Sequence, residues 1–303
     1  FLVSLAIDRN KFLIPGEVIK VIIEACQEVC DLLTMQGIPC FFSGGETADV
    51  PDLVRTITIN NAVTIRIKRS LVIDASRIKA PGYIIGFSST GQSDWEDEPN
   101  SGIGSNGLTS ARHDTLERLY REYTETFAPE TDRELIYSGK YRLSDSLPGD
   151  PRFTIASALL SPTRTYLPLI KRLIEGVGRD ALLGLIHCSG GGQTKIGKFG
   201  PLGVTYIKDN LFETPPLFSL LQESCDLPWK EMYQTYSMGH RLEAVVGSRT
   251  IAKKCIAISQ ECGIDAQIIG RVVRGTKDTR DVRTLIISRK FGKRSFRYPY
   301  KFR

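Results

Sequence analysis

Three glycine-bearing junctions hold the residue types that handle phosphates and metals. At the first, Phe41-Phe42-Ser43-Gly44-Gly45-Glu46-Thr47-Ala48-Asp49, an apolar run over 38–42 meets two glycines, then a carboxylate, a hydroxyl and a second carboxylate. Glycine lets a backbone approach a ligand closely. Glu46 and Asp49 are hard oxygen donors of the kind Mg²⁺ accepts when it also holds phosphates. The pattern fits a strand-end loop that presents carboxylates to a metal-bound nucleotide, and it fits a tight turn between strands with solvated acids. At the second junction, Gly102, Gly104 and Gly107 have the outline of a dinucleotide fingerprint. An acidic, proline-containing loop precedes them instead of a buried strand, which argues against a Rossmann site. What remains is a small-residue loop opening a helix expected from Thr109 to about Phe127. Ser105, Asn106 and Gly107 then either bind phosphate at a helix N-terminus or simply cap the helix. At the third junction, an apolar run over 182–187 ends at Cys188-Ser189-Gly190-Gly191-Gly192-Gln193. Gly192, Gly197 and Lys198 imitate a P-loop, but Phe199 stands where Ser or Thr must reach Mg²⁺. Gly190, Gly191 and Gly192 still imply close backbone approach, to a ligand or to a packed helix.

The elements that must carry these junctions follow from periodicity. Pro15-Gly16-Glu17 opens a helix in which Val18, Val21, Ile22, Ala25, Val29 and Leu32 recur at helical spacing, and Gly37 stops it. Thr56 to Lys68 reads as two strand segments around Asn60-Asn61, with Val63, Ile65 and Ile67 alternating with polar residues. Polar residues from Asp74 to the turn signal Pro81-Gly82 mark a boundary. Domains are therefore expected at 1–75 and 80–303. In the second, strands are expected at 83–87, 182–187, 242–246, 266–272 and 283–288. Helices are expected after Tyr166, from Pro215 and from Ile251, and a polar surface excursion at 129–150.

The totals bound the class. A length of 303 residues with 41% hydrophobic and 24% charged residues is that of a globular protein with about two domains. No apolar run approaches a membrane span. Phe1 opens an apolar run without a basic leader, which reads as a strand already inside a domain, so upstream sequence is expected. Seven cysteines without a CxxC pair indicate reduced, mostly buried thiols and a cytoplasmic location. Three histidines make a His-rich metal site an unsuitable reading. The net charge of +6 is uneven: Arg271 to Arg303 carries twelve Lys/Arg against Asp278 and Asp281, leaving the rest of the chain acidic. Such a run can bind nucleic acid but more commonly forms a solvated face, and no nucleic-acid partner is expected.

Taken in order, GGETA at Gly44–Ala48, GSNGLTSAR at Gly104–Arg112, SPTRTY at Ser161–Tyr166, HCSGGG at His187–Gly192, MYQTYSMG at Met232–Gly239 and IIGRV at Ile268–Val272 closely resemble the aminoimidazole ribonucleotide synthetase (phosphoribosylformylglycinamidine cyclo-ligase) family, in its longer variant. The resemblance implies a PurM-like two-domain architecture. An α+β N-terminal domain, its strands forming a barrel across a homodimer, precedes an α/β C-terminal domain. It implies ATP-dependent ring closure of formylglycinamidine ribonucleotide in purine synthesis, through phosphorylation of the formyl oxygen, with ATP and Mg²⁺ required. By motif, Glu46 and Asp49 would be catalytic, with Glu46 on the metal and Gly44, Gly45 and Thr47 near the nucleotide. Ser105, Asn106 and Gly107 would hold the substrate phosphate or ribose, and Gly190, Gly191 and Gly192 would shape the cleft. Arg164 would be a phosphate ligand or, the preferred reading, a structural ion-pair partner. The sequence departs from the family at Gly104, where histidine is usual; His240 could compensate, but a helix-terminal or interface histidine is the preferred reading. The family's Asp-Gly-Val-Gly-Thr-Lys-type nucleotide loop would lie upstream of Phe1, so this chain by itself is expected to be incomplete for ATP binding. A non-catalytic dimeric paralogue, or another ATP-using kinase of the same superfamily, is the alternative.

Overall fold

A computed structural model describes residues 1–275, 282–288 and 294–299; much of the basic terminal segment noted above lies outside these. The chain forms two compact units, 1–72 with 123–130, and 73–122 with 131–303.

In the first unit, β1 (Leu2–Arg9) lies between β2 (Phe41–Asp49), parallel to it, and β3 (Ile57–Thr64), antiparallel to it. The parallel β1–β2 pair needs a crossover, which α1 (Gly16–Met35) supplies. Pro15 precedes its first turn, as a residue with no N–H to satisfy does well there. The apolar stripe of α1 is not its buried side. Cys30 and Leu33 are buried, whereas Val21 is 62% exposed and Val29 52%. The glycine pair makes no turn. It sits inside β2, where the register to β1 shifts between Val3 and Leu5. Gly44 has φ +85°, and a Cβ on Gly45 would lie 1.7 Å from the Leu5 oxygen. This is a bulge, and glycine is there because the neighbouring backbone leaves no room for a side chain. Asn60-Asn61 likewise lies within the continuous strand β3.

The second unit is built on β4 (Gly82–Ser88), β5 (Leu182–His187), β6 (Val204–Lys208), β7 (His240–Val246), β8 (Ala266–Arg274), β9 (Val282–Ser288) and β10 (Arg294–Pro299). They form one sheet in the order β10-β9-β6-β8-β4-β7-β5. Every pairing is antiparallel except β6–β9, so the sheet of this unit is mixed and mostly antiparallel. Central β4 and β7 are covered on both faces: Ile84, Ile85 and Phe87, and Ala244, Val245 and Val246, are all fully buried. Helices α4 (Leu167–Val177) and α7 (Arg249–Gln260) pack on each other. A Cβ on Gly176 would meet Ile258 Cδ1 at 2.5 Å.

Two loop regions, the acidic loop and the 129–150 segment expected on the surface, are anchored instead. In the acidic loop, Glu96 pairs with Arg164 through Nε (2.8 Å) and Nη2 (2.6 Å). Arg164 is 3% exposed and also donates to the oxygens of Ser88, Thr90 and Gly91. Its role is thus structural. In the 129–150 excursion, Ile136, Tyr137 and Leu147 are buried.

Candidate functional site

The helix after the second junction is shorter than expected. It is α2 (Leu108–Thr115), followed by short 3₁₀ turns. Its approach is built by close contact. Gly102, Gly104 and Gly107 all have positive φ (+86°, +55° and +74°). A Cβ at Gly104 would lie 2.5 Å from Arg241 Nη2, and one at Gly107 2.6 Å from the Tyr236 ring. Arg241 is 1% exposed, and its Nη2 donates to the oxygens of Gly102 (3.0 Å) and Ile103 (2.6 Å). Ser237 Oγ donates to the Gly102 oxygen at 2.9 Å. The glycine spacing that imitates a dinucleotide fingerprint therefore serves packing on Arg241 and Tyr236.

Asn106 ties three separate segments together. Its Nδ2 donates to the Thr235 oxygen at 2.6 Å, and its Oδ1 accepts from the Gly190 N–H at 3.2 Å. Thr235 ends α6 (Trp229–Thr235). The Ser105–Gly107 loop and the Gly190–Gly192 loop, 84 residues apart, thus meet against the 232–239 segment. Ser105 and Gly190 are exposed. Gly190, Gly191 and Gly192 all have positive φ (+46°, +125° and +48°), a run that only glycine adopts without strain. A Cβ on Gly192 would strike the oxygens of Tyr233 and Tyr236, both at 2.6 Å. One on Gly190 or Gly191 would meet only Lys195, at 3.6 Å or more. So Gly192 is packed, while the space over Gly190 and Gly191 is open except for a cation. Lys195 Nζ lies 3.3 Å from the Gly190 oxygen. His187, at the end of β5, is pushed below the usual histidine pKa by partial desolvation and by the Arg241 and Lys195 cations. Exposed hydroxyl, open glycine backbone and Lys195 form a locus suited to an anionic, oxygen-rich group.

At the same end of the sheet, beyond Ser88, a cavity of about 520 Å³ is lined by Thr90, Asn100, Arg152, Phe212 and Glu213 among others. Its Arg152 fork is already closed on Asp150, through Nε (2.8 Å) and Nη2 (2.7 Å). None of the residues expected to hold substrate lines it.

The nucleotide candidates lie in the first unit, on β2. Glu46 stands opposite Ala6, Thr47 opposite Ile7 and Asp49 opposite Arg9. Side chains alternate along a strand. Glu46 and Asp49, three apart, therefore project to opposite faces and are not brought together. Asp49 is engaged by Arg9 Nε at 2.6 Å. Glu46 is exposed, with no side-chain partner among the described residues. Gly44 and Gly45 serve the bulge. Among the described residues, no group of three or more His, Cys, Asp or Glu side chains could hold a metal ion. Nor is any helix there long and apolar enough to cross a membrane. All seven cysteines are free, and five are buried.

Several site residues carried no motif. Arg241, Lys208 and Glu243 are buried charges inside the sheet. Glu243, set between Leu242 and the apolar run Ala244-Val245-Val246, was the available signal, since a carboxylate among apolar strand residues must find a partner. His240 does not replace the family's histidine at position 104. It is fully buried, its Nε2 faces Glu243 Oε1 at 2.9 Å, and Arg241 is the residue that lies against Gly104.

No family model matches the chain. Among curated proteins, it is 32% identical over 230 residues to the phosphoribosylformylglycinamidine cyclo-ligase of Methanocaldococcus jannaschii, covering 76% of this chain and 55% of that protein. It is 25% identical over 281 residues to the enzyme of the same name from Alkaliphilus metalliredigens, covering 91% and 68%. The chain thus spans about half the length of the curated relatives it matches, 55% of the Methanocaldococcus jannaschii protein. Among solved structures, E. coli HypE, a hydrogenase maturation protein, matches with a TM-score of 0.56 at 16% identity, over 100% of this chain and 74% of that one. T. maritima PurL complexed with FGAR matches with a TM-score of 0.50 at 16% identity, over 99% and 38%. At that identity the structural likenesses concern the fold alone, and they bear out its PurM-like class. In sequence, the chain is similar to the phosphoribosylformylglycinamidine cyclo-ligases, the family that its ordered motifs indicated.

Proposed function

We propose that this chain is part of an ATP-dependent cyclo-ligase that closes formylglycinamidine ribonucleotide to aminoimidazole ribonucleotide in purine synthesis. The observation that carries the reading is the Asn106 bridge. It brings the Ser105–Gly107 and Gly190–Gly192 motifs into one locus suited to a phosphate or ribose. ATP would supply the phosphoryl group that turns the formyl oxygen into a leaving group. The chain's own contribution is positioning. Ser105 and the Asn106–Gly107 backbone hold the anionic end of the substrate, Gly190 and Gly191 give it close approach, and Lys195 balances its charge. Of the Mg²⁺ donors, exposed Glu46 fits a site in which phosphate oxygens supply most ligands. Asp49, held by Arg9, does not fit that role, and no step is assigned to it. The two domains of the enzyme would correspond to 1–75 and 80–303. The protein would work as a cytoplasmic homodimer, the exposed apolar residues of α1 and β3 facing a second copy.

The test is ATP hydrolysis with and without formylglycinamidine ribonucleotide, using this chain and a version extended to the full reading frame. Substrate-stimulated turnover in the extended form is expected. No turnover in either form, with the ribonucleotide still bound, would leave a non-catalytic binding paralogue.

A further inference from the structure

Directly beneath the open glycine loop lies a buried system of charges with no part in the chemistry above. Gln193, the residue after the triple glycine, is fully buried. Its Nε2 donates to the Ser237 oxygen and, at 3.0 Å, to the His240 oxygen. Its main-chain oxygen and its Oε1 both accept from Lys208 Nζ. Lys208, the last residue of β6, is also fully buried and pairs with Glu243 Oε1 of β7. That same oxygen faces His240 Nε2. Two strands that are not neighbours in the sheet, β6 and β7, are thereby joined to the end of the glycine loop.

A buried ion pair is a poor way to gain stability. Desolvating both ions costs several kcal/mol, and well-packed apolar residues of similar volume usually serve as well or better. The pair does supply directed donors. The ammonium has three N–H groups, and here it reaches a main-chain oxygen of the very segment that carries the Gly190–Gly192 loop. Three successive left-handed glycines have no intrinsic preference for that path, so something outside the loop must hold it. The 237–240 backbone that Gln193 grips is continuous with Thr235, the acceptor of Asn106. Gln193 therefore anchors to one segment both sides of the locus.

We propose that Lys208, held by Glu243, is a positioning residue that acts through Gln193 to set the glycine loop against Asn106 before a phosphate-bearing substrate arrives. The substrate side of this proposal rests on the functional reading above; the positioning of the loop does not.

The experiment uses the full reading frame, with Lys208→Met/Glu243→Leu, which removes both charges together, and Gln193→Ala, which leaves the ion pair intact. Amide hydrogen exchange is followed over 188–195 and, as internal reference, over β4, β7 and β8. Calorimetry measures the Kd for formylglycinamidine ribonucleotide. Exchange over 188–195 is expected to accelerate about tenfold in both variants with sheet protection retained, and Kd to weaken about tenfold, the equivalent of one well-placed hydrogen bond. Unchanged loop exchange in a folded variant would overturn the proposal. So would a loosened loop with unaltered Kd, or global loss of sheet protection in Gln193→Ala, which would mark the cluster as a folding element only. If the parent fails to bind the ribonucleotide, the substrate reading falls, and the exchange data alone decide whether the cluster positions the loop.

Discussion

Gly104 shows how a single missing side chain can be a packing decision. The volume that a side chain would need is filled by the Arg241 guanidinium, 2.5 Å from a would-be Cβ, and the backbone sits at φ +55°. Gly104→Ala should therefore cost about 2–3 kcal/mol, combining backbone strain with displacement of a buried, doubly bonded arginine. Gly91, at φ +82° but with nothing within 4 Å, is the matched control and should cost only the strain, about 1 kcal/mol. Urea midpoints at constant m-value measure both. Asn106 tests the site itself. Asn106→Asp keeps an acceptor for the Gly190 N–H but loses the donor to the Thr235 oxygen. The expected result is about tenfold weaker binding of formylglycinamidine ribonucleotide by calorimetry, with a stability change of about 1 kcal/mol. Equal Kd in variant and parent would remove Asn106 from the site.

At the scale of elements, the sheet's catalytic-looking end is held by residues that arrive from loops. Arg164 grips three main-chain oxygens at and just after the end of β4 and a carboxylate of the acidic loop. Glu96, whose side chain is only 14% exposed, would be left without its cation in Arg164→Met. That substitution should destabilise the second unit by about 3 kcal/mol, read as a lowered thermal midpoint, and Glu96→Gln should also lower it, because it strands the Arg164 cation, whose side chain is fully buried. Arg283 plays the same part at the other side of the sheet. Although it belongs to the basic terminal segment, it is 5% exposed and donates to the oxygens of Val204 and Phe199. A count of positive charges does not separate such an arginine from a ligand-binding one.

At the scale of the whole molecule, buried ionisable groups make stability fall on the acid side. Burial opposes the charge of Glu243, but Lys208 and His240 outweigh it and hold its pKa down to about 2, below its ordinary 4.5. Its contribution is complete above about pH 4.5 and is lost as pH falls toward 2. His240 and His113 are pushed below 6.5, chiefly by burial, and fold as neutral rings. The unfolded chain takes up their protons first, so their contribution fades as pH drops below 6.5. Thermal midpoints should decline below about pH 6.5 and more steeply below 4.5, each group adding at most about 1.4 kcal/mol per pH unit. The lower limb should flatten in Lys208→Met/Glu243→Leu, and an unchanged limb would mean that Glu243 is not ionised in the folded protein. The apolar residues left uncovered on the first unit, among them Val21 at 62% and Val63 at 54% exposure, belong to the same scale. Surfaces of this kind mark contacts. Sedimentation of the full reading frame should show a dimer, and Val21→Glu with Val63→Lys should shift it to monomer without changing the thermal midpoint of the second unit.

Much of this was legible in the amino-acid order because it depends on neighbours along the chain. Apolar runs bounded by turn residues located β4, β5, β7 and β8 within a residue or two, and the glycine clusters marked the loops that form the candidate site. The resemblance to the cyclo-ligases was likewise read from short motifs in order. Only the tertiary structure decided which glycines are left open and which face a neighbouring backbone. Gly44-Gly45 became a bulge because β1 passes alongside, and Gly190-Gly191 stayed open because nothing does. It also placed Glu46 and Asp49 on opposite faces of a strand and tied Asp49 to Arg9, forty residues away in sequence. The charges that matter most, Lys208 and Glu243, lie 35 residues apart on strands whose order no local pattern encodes. Their pairing follows from sheet topology, because a buried charge takes the partner that the fold brings within reach and not the one nearest in the chain.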